Sequence, residues 1–360
     1  MVAQNFRTLL LMTAVLGQLH AGAGCTFWGS EQGSGARGQG PGAGDPPTDP
    51  RPLRSAESEP RSIGVLGPAP APQSRIVEPT PGWPRVVEDL TGRVTIPAKP
   101  MRIHTLSVGY DEITFRLVDP SRIVAVGRST ANPDLSNVAA EAQAIPNRVG
   151  RNAEEVVALQ PDLVVASPFS NRDLVEQLRA AHIPLVLADL VNSADAHEEN
   201  IRFLAYLYGD EARGEALIQE VRGGLERLAR LVDARPPQRR PRVLLLSGAT
   251  AAGRDTNEDG LLRLAGATNA AAEAGITGHR EIGLEGFQAI DPDVIVIAET
   301  DPNRPGSAAA LVQHPALEGV KAIRDKRILR VKWSLVTTLS HWNIVGAEEI
   351  ARGLSETTSS

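Results

Sequence analysis

Cysteine is nearly absent from this chain: Cys25 is the single one in 360 residues. One thiol excludes an intrachain disulfide and any Cys-ligated zinc or iron–sulfur site. Histidine is also sparse. The seven are scattered without a His-rich loop, so the convergent donors that a zinc or manganese carrier needs are not in view, and no metal ligands are assigned. Aromatic residues make up only 4%, against 42% apolar residues overall. Basic residues do not predominate. Lys and Arg total 37 against 43 Asp and Glu, a formal net charge of −6, which carries no nucleic-acid signature. Nucleophile-elbow, P-loop and dinucleotide fingerprints are missing. The reading is therefore a non-enzyme without a cofactor of its own.

Long hydrophobic runs are lacking too. Arg7 precedes the apolar run Thr8 to Gly17, and small residues Ala21 to Gly24 follow. The run is too short to cross a bilayer as a helix and reads as an export signal over residues 1–24. Ala21-x-Ala23 suits ordinary signal cleavage. Gly22-Ala23-Gly24-Cys25 resembles a lipoprotein box with Gly22 where Leu is usual, making Cys25 the expected lipidation site. Residues 25–80 are rich in Gly, Pro, Ser and Ala and read as a flexible tether. The expected location is extracytoplasmic, periplasmic or at the cell surface, with a lipid anchor as the sole membrane attachment.

What the chain does contain is one pattern written twice. Glu154-x-x-x-Ala158-Leu159-Gln160-Pro161-Asp162-Leu163-Val164-Val165 is matched by Glu285-x-x-x-Ala289-Ile290-Asp291-Pro292-Asp293-Val294-Ile295-Val296. Proline stops a helix and restricts the residue before it. The branched apolar run that follows reads as a strand buried on both faces, as in helix-covered parallel sheets. Each copy predicts a short helix, a forced stop and a buried strand.

The rest of the sequence fits two such lobes. Residues 85–97 predict a β-hairpin around Thr91-Gly92. Strands are expected at 102–106, 122–127, 163–166 and 184–188, with helices at 111–118, 153–159 and 172–181. A long helical pattern runs from 193 to 234, weakened at Gly209-Asp210 and Gly223-Gly224. Strands at 243–246, 294–298 and 328–331 follow, with helices at 260–265, 283–290, 308–312 and 342–354. The fold class is α/β: two Rossmann-like lobes with parallel sheets joined by one long helix. The expected bounds are 81–192 for the N-terminal lobe, 193–235 for the linking helix and 236–360 for the C-terminal lobe.

In this order, the hairpin Arg85-Val86-Val87-Glu88-Asp89-Leu90-Thr91-Gly92-Arg93, then Pro100-x-Arg102-Ile103, Val149-Gly150-x-Asn152-x-Glu154 and Leu264-Ala265-Gly266 before Asn269 carry a resemblance. Over about residues 85 to 355 the chain resembles the helix-linked substrate-binding proteins of ABC importers for iron–siderophore complexes, haem and cobalamin. The resemblance implies a ligand held between two lobes with little hinge bending. It also implies that Glu154 and Glu285, one per lobe, pair with arginines of a permease dimer served by ATPase subunits. The small-molecule ligand it implies is a metal chelate, a ferric complex or a corrinoid, with haem as the alternative; a monomer is expected. A chelatase-like enzyme on a related two-lobed fold and a surface scaffold are the readings from other classes.

Ligands of open α/β sheets collect beyond the carboxyl ends of the strands. The strand map places Tyr110, Arg128, Phe169, Arg254 and Trp333 there. Tyr110 and Trp333 suit stacking on a flat macrocycle. Arg128 and Arg254 suit carboxylate or phosphate groups. An axial haem ligand would come from Tyr110 or His341. Three local patterns read as structural: Asp255-x-Asn257-x-Asp259-Gly260 as a capping turn, since Gly266 stands where a calcium loop needs Glu; His197-Glu198 as helix surface; and Arg235, Arg239, Arg240 and Arg242 as a solvated connector.

Overall fold

The computed structural model describes residues 74–189, 197–233, 240–300 and 307–357. Cys25, the signal segment, most of the 25–80 tether, Arg235 and Arg239 lie outside the described residues. The chain opens with an antiparallel sheet of β1 (Arg75–Glu78), β2 (Arg85–Asp89) and β3 (Gly92–Ile96). β2 and β3 are the expected hairpin. β1 is an addition: the end of the segment read as tether pairs with β2.

The N-terminal lobe contains β4 (Ile103–Thr105), α1 (Val108–Leu117), β5 (Val126–Gly127), α2 (Ala139–Ala142), β6 (Arg148–Val149), α3 (Ala153–Ala158), β7 (Leu163–Ala166), α4 (Arg172–Ala180) and β8 (Leu185–Leu187). Strands β4, β7 and β8 are parallel neighbours, β5 and β6 form a second parallel pair, and an isolated bridge between Ile103 and Ile123 ties β4 to the segment leading into β5. Both faces are covered. Leu163 and Val165 point into one core cluster, Val164 and Ala166 into another. This two-sided burial is why the strand reads as an unbroken apolar run.

Helices α5 (His197–Tyr208) and α6 (Glu211–Asp233) follow. The long helical pattern is thus broken where Gly209 takes φ +68, a left-handed conformation that costs glycine little. It is not broken at Gly223-Gly224. A Cβ on Gly224 would lie 3.0 Å from Ile344 Cγ2, so the small residue lets another helix approach. The C-terminal lobe contains β9 (Arg242–Ser247), β10 (Thr250–Ala252), α7 (Asn257–Leu264), β11 (Thr268–Asn269), α8 (Ala270–Glu273), β12 (His279–Glu281), α9 (Leu284–Ile290), β13 (Val294–Glu299), α10 (Ala308–Leu311), α11 (Lys321–Arg324), β14 (Ile328–Lys332), α12 (Trp333–Thr337) and α13 (Trp342–Thr357). Strands β9, β13 and β14 are parallel as expected. The sheet continues through antiparallel β10 and β12, which are too short and polar to announce themselves by hydropathy.

The repeated sequence pattern has one physical basis in both lobes. The residue before each proline, Gln160 (φ 47) or Asp291 (φ 40), is left-handed and ends the helix. The next Asp reaches across to the start of a neighbouring strand. Asp162 accepts from the backbone N–H groups of Met101 and Arg102 at 2.7 and 2.8 Å; Asp293 accepts from that of Arg242 at 2.9 Å. The arginines return the contact. Arg102 donates to the carbonyls of Leu159 and Gln160, and Arg242 to those of Ile290 and Asp291. Each arginine thus caps the carboxyl end of the repeat helix. Arg242, read as part of a solvated connector, is the second lobe's counterpart of Arg102.

α6 joins the lobes through their cores. Leu217, Ile218 and Val221 pack in the first lobe's core, while Leu228 packs in the second's. At ~1.5 Å per residue the helix is about 34 Å long, enough to span both. A polar junction adds a direct tie. Glu112, fully buried on α1, accepts from the backbone and side-chain nitrogens of Asn137 and from the hydroxyls of Thr338 and Ser340 in the other lobe. Asn137 also exchanges two hydrogen bonds with Ser334, at 2.8 and 2.9 Å. Removing this shared acceptor leaves several donors unmet. Glu112→Ala is expected to lower the unfolding free energy by about 3 kcal/mol, measured by urea denaturation. Asp162→Ala is expected to cost about 2 kcal/mol by the same measurement.

Candidate ligand-binding site

A cavity of about 390 Å³ opens at the carboxyl ends of β4, β5 and β6, lined among others by Thr105, Asp111, Arg128, Thr130, Arg151 and Phe169. Two of the expected residues meet here. Phe169 is 86% exposed, the most exposed large hydrophobic side chain among the described residues. Arg128 and Arg151 have no ion-pair or hydrogen-bond partner among the described residues. Arg151 was not anticipated, although its place directly after β6 and Gly150 was the available signal. Trp333 begins α12 at the carboxyl end of β14, and its indole N–H donates to Ser247 Oγ at the end of β9. It therefore stands at the same end of its own sheet. The next residue, Ser334, touches the first lobe through Asn137.

Three expectations are corrected. Tyr110 is 2% exposed and donates its hydroxyl to the Ala188 carbonyl at 2.7 Å; its ring is core, not a stacking platform. Arg254 follows β10, which runs antiparallel to β9 and carries the chain back to the opposite end of the sheet. There it borders a separate cavity and donates to the Ala272 carbonyl. His341 lies against α6 in a third cavity, of about 230 Å³, and burial lowers its pKa to about 3. Neither Tyr110 nor His341 can serve as an axial ligand in the cleft. The histidine that does line the cleft is His104. Its Nδ1 faces the Ala125 carbonyl at 3.0 Å, its buried Nε2 has no partner, and burial lowers its pKa to about 4.

The local patterns resolve similarly. Thr256 caps α7, accepting from the Asp259 N–H, while Asn257 donates to the Val336 and Thr338 carbonyls. His197 is a second correction to a surface reading: it is fully buried and contacts Asn343 Oδ1 at 2.9 Å. Glu198 does lie on the surface and pairs with Arg222 and Arg202. Glu154 and Glu285 occupy the first turns of α3 and α9, both exposed and without an ion-pair partner among the described residues.

A model described as periplasmic binding protein matches residues 103–333. The chain belongs to this family. The ABC transporter substrate-binding lipoprotein YvrC of Bacillus subtilis (strain 168) is 25% identical over 299 residues, covering 81% of this chain and 92% of that one. A cobalamin-binding protein of Halobacterium salinarum (strain ATCC 29341 / DSM 671 / R1) is 29% identical over 255 residues, covering 69% and 68%. Among solved structures, the periplasmic heme-binding protein RhuT from Roseiflexus sp. RS-1 in apo form has a TM-score of 0.63 at 27% identity, covering 71% of this chain and 98% of that one. These relatives are binding proteins, and membership of the periplasmic binding protein family supports an extracytoplasmic location.

Within this binding-protein cleft, Asp111 is chemically distinctive. It is fully buried, and burial raises its pKa from 3.8 to about 7 against the opposing hydrogen bonds from Thr105 and Thr130. The folded protein thus keeps a proton that the unfolded chain has lost. This stabilising difference is complete below about pH 4 and disappears as pH rises through about 7. Asp111→Asn removes the titration. Thermal unfolding at stepped pH is expected to show the variant gaining stability relative to wild type between those two values; a constant difference would contradict the assignment.

Proposed function

We propose that this protein is the extracytoplasmic substrate-binding component of an ABC importer, and that it carries an anionic metal chelate, a ferric complex or a corrinoid bearing phosphate. The observation that carries this reading is the cavity wall holding two guanidinium groups unpaired among the described residues, beside an exposed phenyl ring. Guanidinium groups match carboxylate and phosphate geometry, and an aromatic face suits the apolar edge of a large chelate. The proposed ligand position is at the strand ends, with Trp333 of the second lobe as a further contact outside the cavity lining.

Haem is the second reading. The same guanidinium groups suit its propionates, and three similar solved structures, at 25 to 28% identity, are described as periplasmic heme-binding proteins. Glu154 and Glu285 are the proposed permease contacts, since two exposed carboxylates at equivalent sites set register on a two-fold partner. Cys25 is the proposed lipid attachment, the folded part acts as a monomer, and turnover of substrate plays no part in this role.

Titration of purified protein with ferric citrate, haemin and cobalamins, read by tryptophan fluorescence, tests the proposal. At least one is expected to bind below about 10 μM, roughly −7 kcal/mol; binding by none would refute it. Arg128→Glu is expected to weaken the bound probe by about tenfold or more, the loss of ~1.4 kcal/mol or more of charge pairing. The double variant Glu154→Ala with Glu285→Ala is expected to keep its ligand affinity and lose uptake in vesicles containing the permease. Undiminished uptake would remove the docking assignment.

A further inference from the structure

The floor of the cleft holds a carboxyl group that the binding role has not used. Asp111 sits in the wall of the same cavity as Arg128 and Arg151, yet it pairs with neither. Its partners are two threonine hydroxyls and the Gly127 backbone. Thr130 Oγ1 donates to Oδ2 at 2.5 Å, and Thr105 Oγ1 lies 2.7 Å from Oδ1. Thr105 Oγ1 also lies 3.2 Å from the Ser107 carbonyl. A hydroxyl has one proton. If Thr105 gives it to Ser107, the shorter contact must be filled by a proton on Asp111. The site can therefore satisfy the neutral acid as well as the carboxylate, by rotation of one hydroxyl.

We propose that Asp111 takes up a proton when an anionic ligand enters the cleft, so that loading strengthens in acid and weakens in alkali. This inference rests on the reading of the cleft as the ligand site. An anion above a buried carboxyl repels its charged form, and exclusion of water removes the solvation that form depends on. The coupling is reciprocal: if the ligand favours the protonated acid, ionising the acid disfavours the ligand.

The surrounding charges are compatible with this role. Glu112, on the same helix, opposes ionisation of Asp111. Tyr110 on α1 and Tyr208 on α5 are buried phenols nearby. His104 on β4 is held neutral by burial, with its pKa lowered to about 4. Arg128 and Arg151 are the arginines of the cavity wall. The raised pKa of Asp111, about 7, puts the midpoint in the neutral range.

The experiment titrates wild type and Asp111→Asn with ferric citrate, haemin and hydroxocobalamin from about pH 6 to about pH 9. The ratio of the two dissociation constants cancels any pH dependence of the probe itself. In alkali the wild type is expected to weaken relative to the variant by up to about tenfold per pH unit. Thr130→Val removes a donor to the carboxylate and is expected to move the midpoint to higher pH; it also decides the matter if Asp111→Asn fails to fold. Parallel profiles, or an unmoved midpoint in Thr130→Val, overturn this inference and leave the carrier reading intact. If no probe binds, the carrier reading falls and this inference falls with it.

Discussion

The structure depends on a clasp made once in each lobe: an arginine at the entrance of a parallel strand, and a Pro-Asp turn at the entrance of its neighbour. The Asp fixes the backbone of the arginine's strand, and the arginine closes the open carbonyls of the helix that feeds the turn. Register between two strands and the docking of one helix are settled together. Proline contributes by ending the helix, and the left-handed residue before it turns the chain into the strand. The consequence for function is positional. Glu154 and Glu285 stand at the opposite ends of these two short helices, seven residues ahead of each proline. Whatever surface they address, their placement is inherited from the clasp rather than from contacts of their own.

The relation between the lobes rests on different physics. α6 shares its apolar face between two cores, so bending it would expose apolar surface in one or both. Glu112 adds a directional constraint, because four donors from two lobes converge on a single buried carboxyl. Buried polar groups that are fully satisfied favour one arrangement over its neighbours, since displacement leaves donors unmet in a medium without water.

Most of the architecture was legible because its signals are local. The branched runs at 163–166 and 294–298, the prolines at 161 and 292, and the helical periodicity after 197 each report burial or chain direction within a few residues. Antiparallel β10 and β12 were not legible: three polar or small residues apiece, paired by backbone alone, leave no hydropathic trace. The same omission misplaced Arg254. Without β10 the residue seems to follow a parallel strand toward the cleft; with it, the chain has already doubled back. Tyr110 failed for a related reason. It follows β4 by a short interval, but it lies on the buried face of α1, and a face is decided by what packs on the helix rather than by distance from a strand end. Phe169 and Arg128 sit on loops directly beyond strands, where distance from the strand end is sufficient. Asp111 and Glu112 gave no sequence signal, because two adjacent acids on a helix ordinarily face water.

Those adjacent acids explain how the cleft keeps its electrostatic character. Successive residues on a helix point about 100° apart, so Asp111 and Glu112 enter different surroundings. Glu112 meets amide and hydroxyl donors at the lobe junction and is held as part of the scaffold. Asp111 meets two threonine hydroxyls and the Gly127 backbone in the cavity wall, which together do not offset its burial. An ionised carboxyl there would add a negative charge to the same cavity wall that carries Arg128 and Arg151. Protonated, it adds no charge to that wall. In the proposed coupling, the affinity of the cleft for an anion depends in part on the protonation of a group that need not touch the ligand.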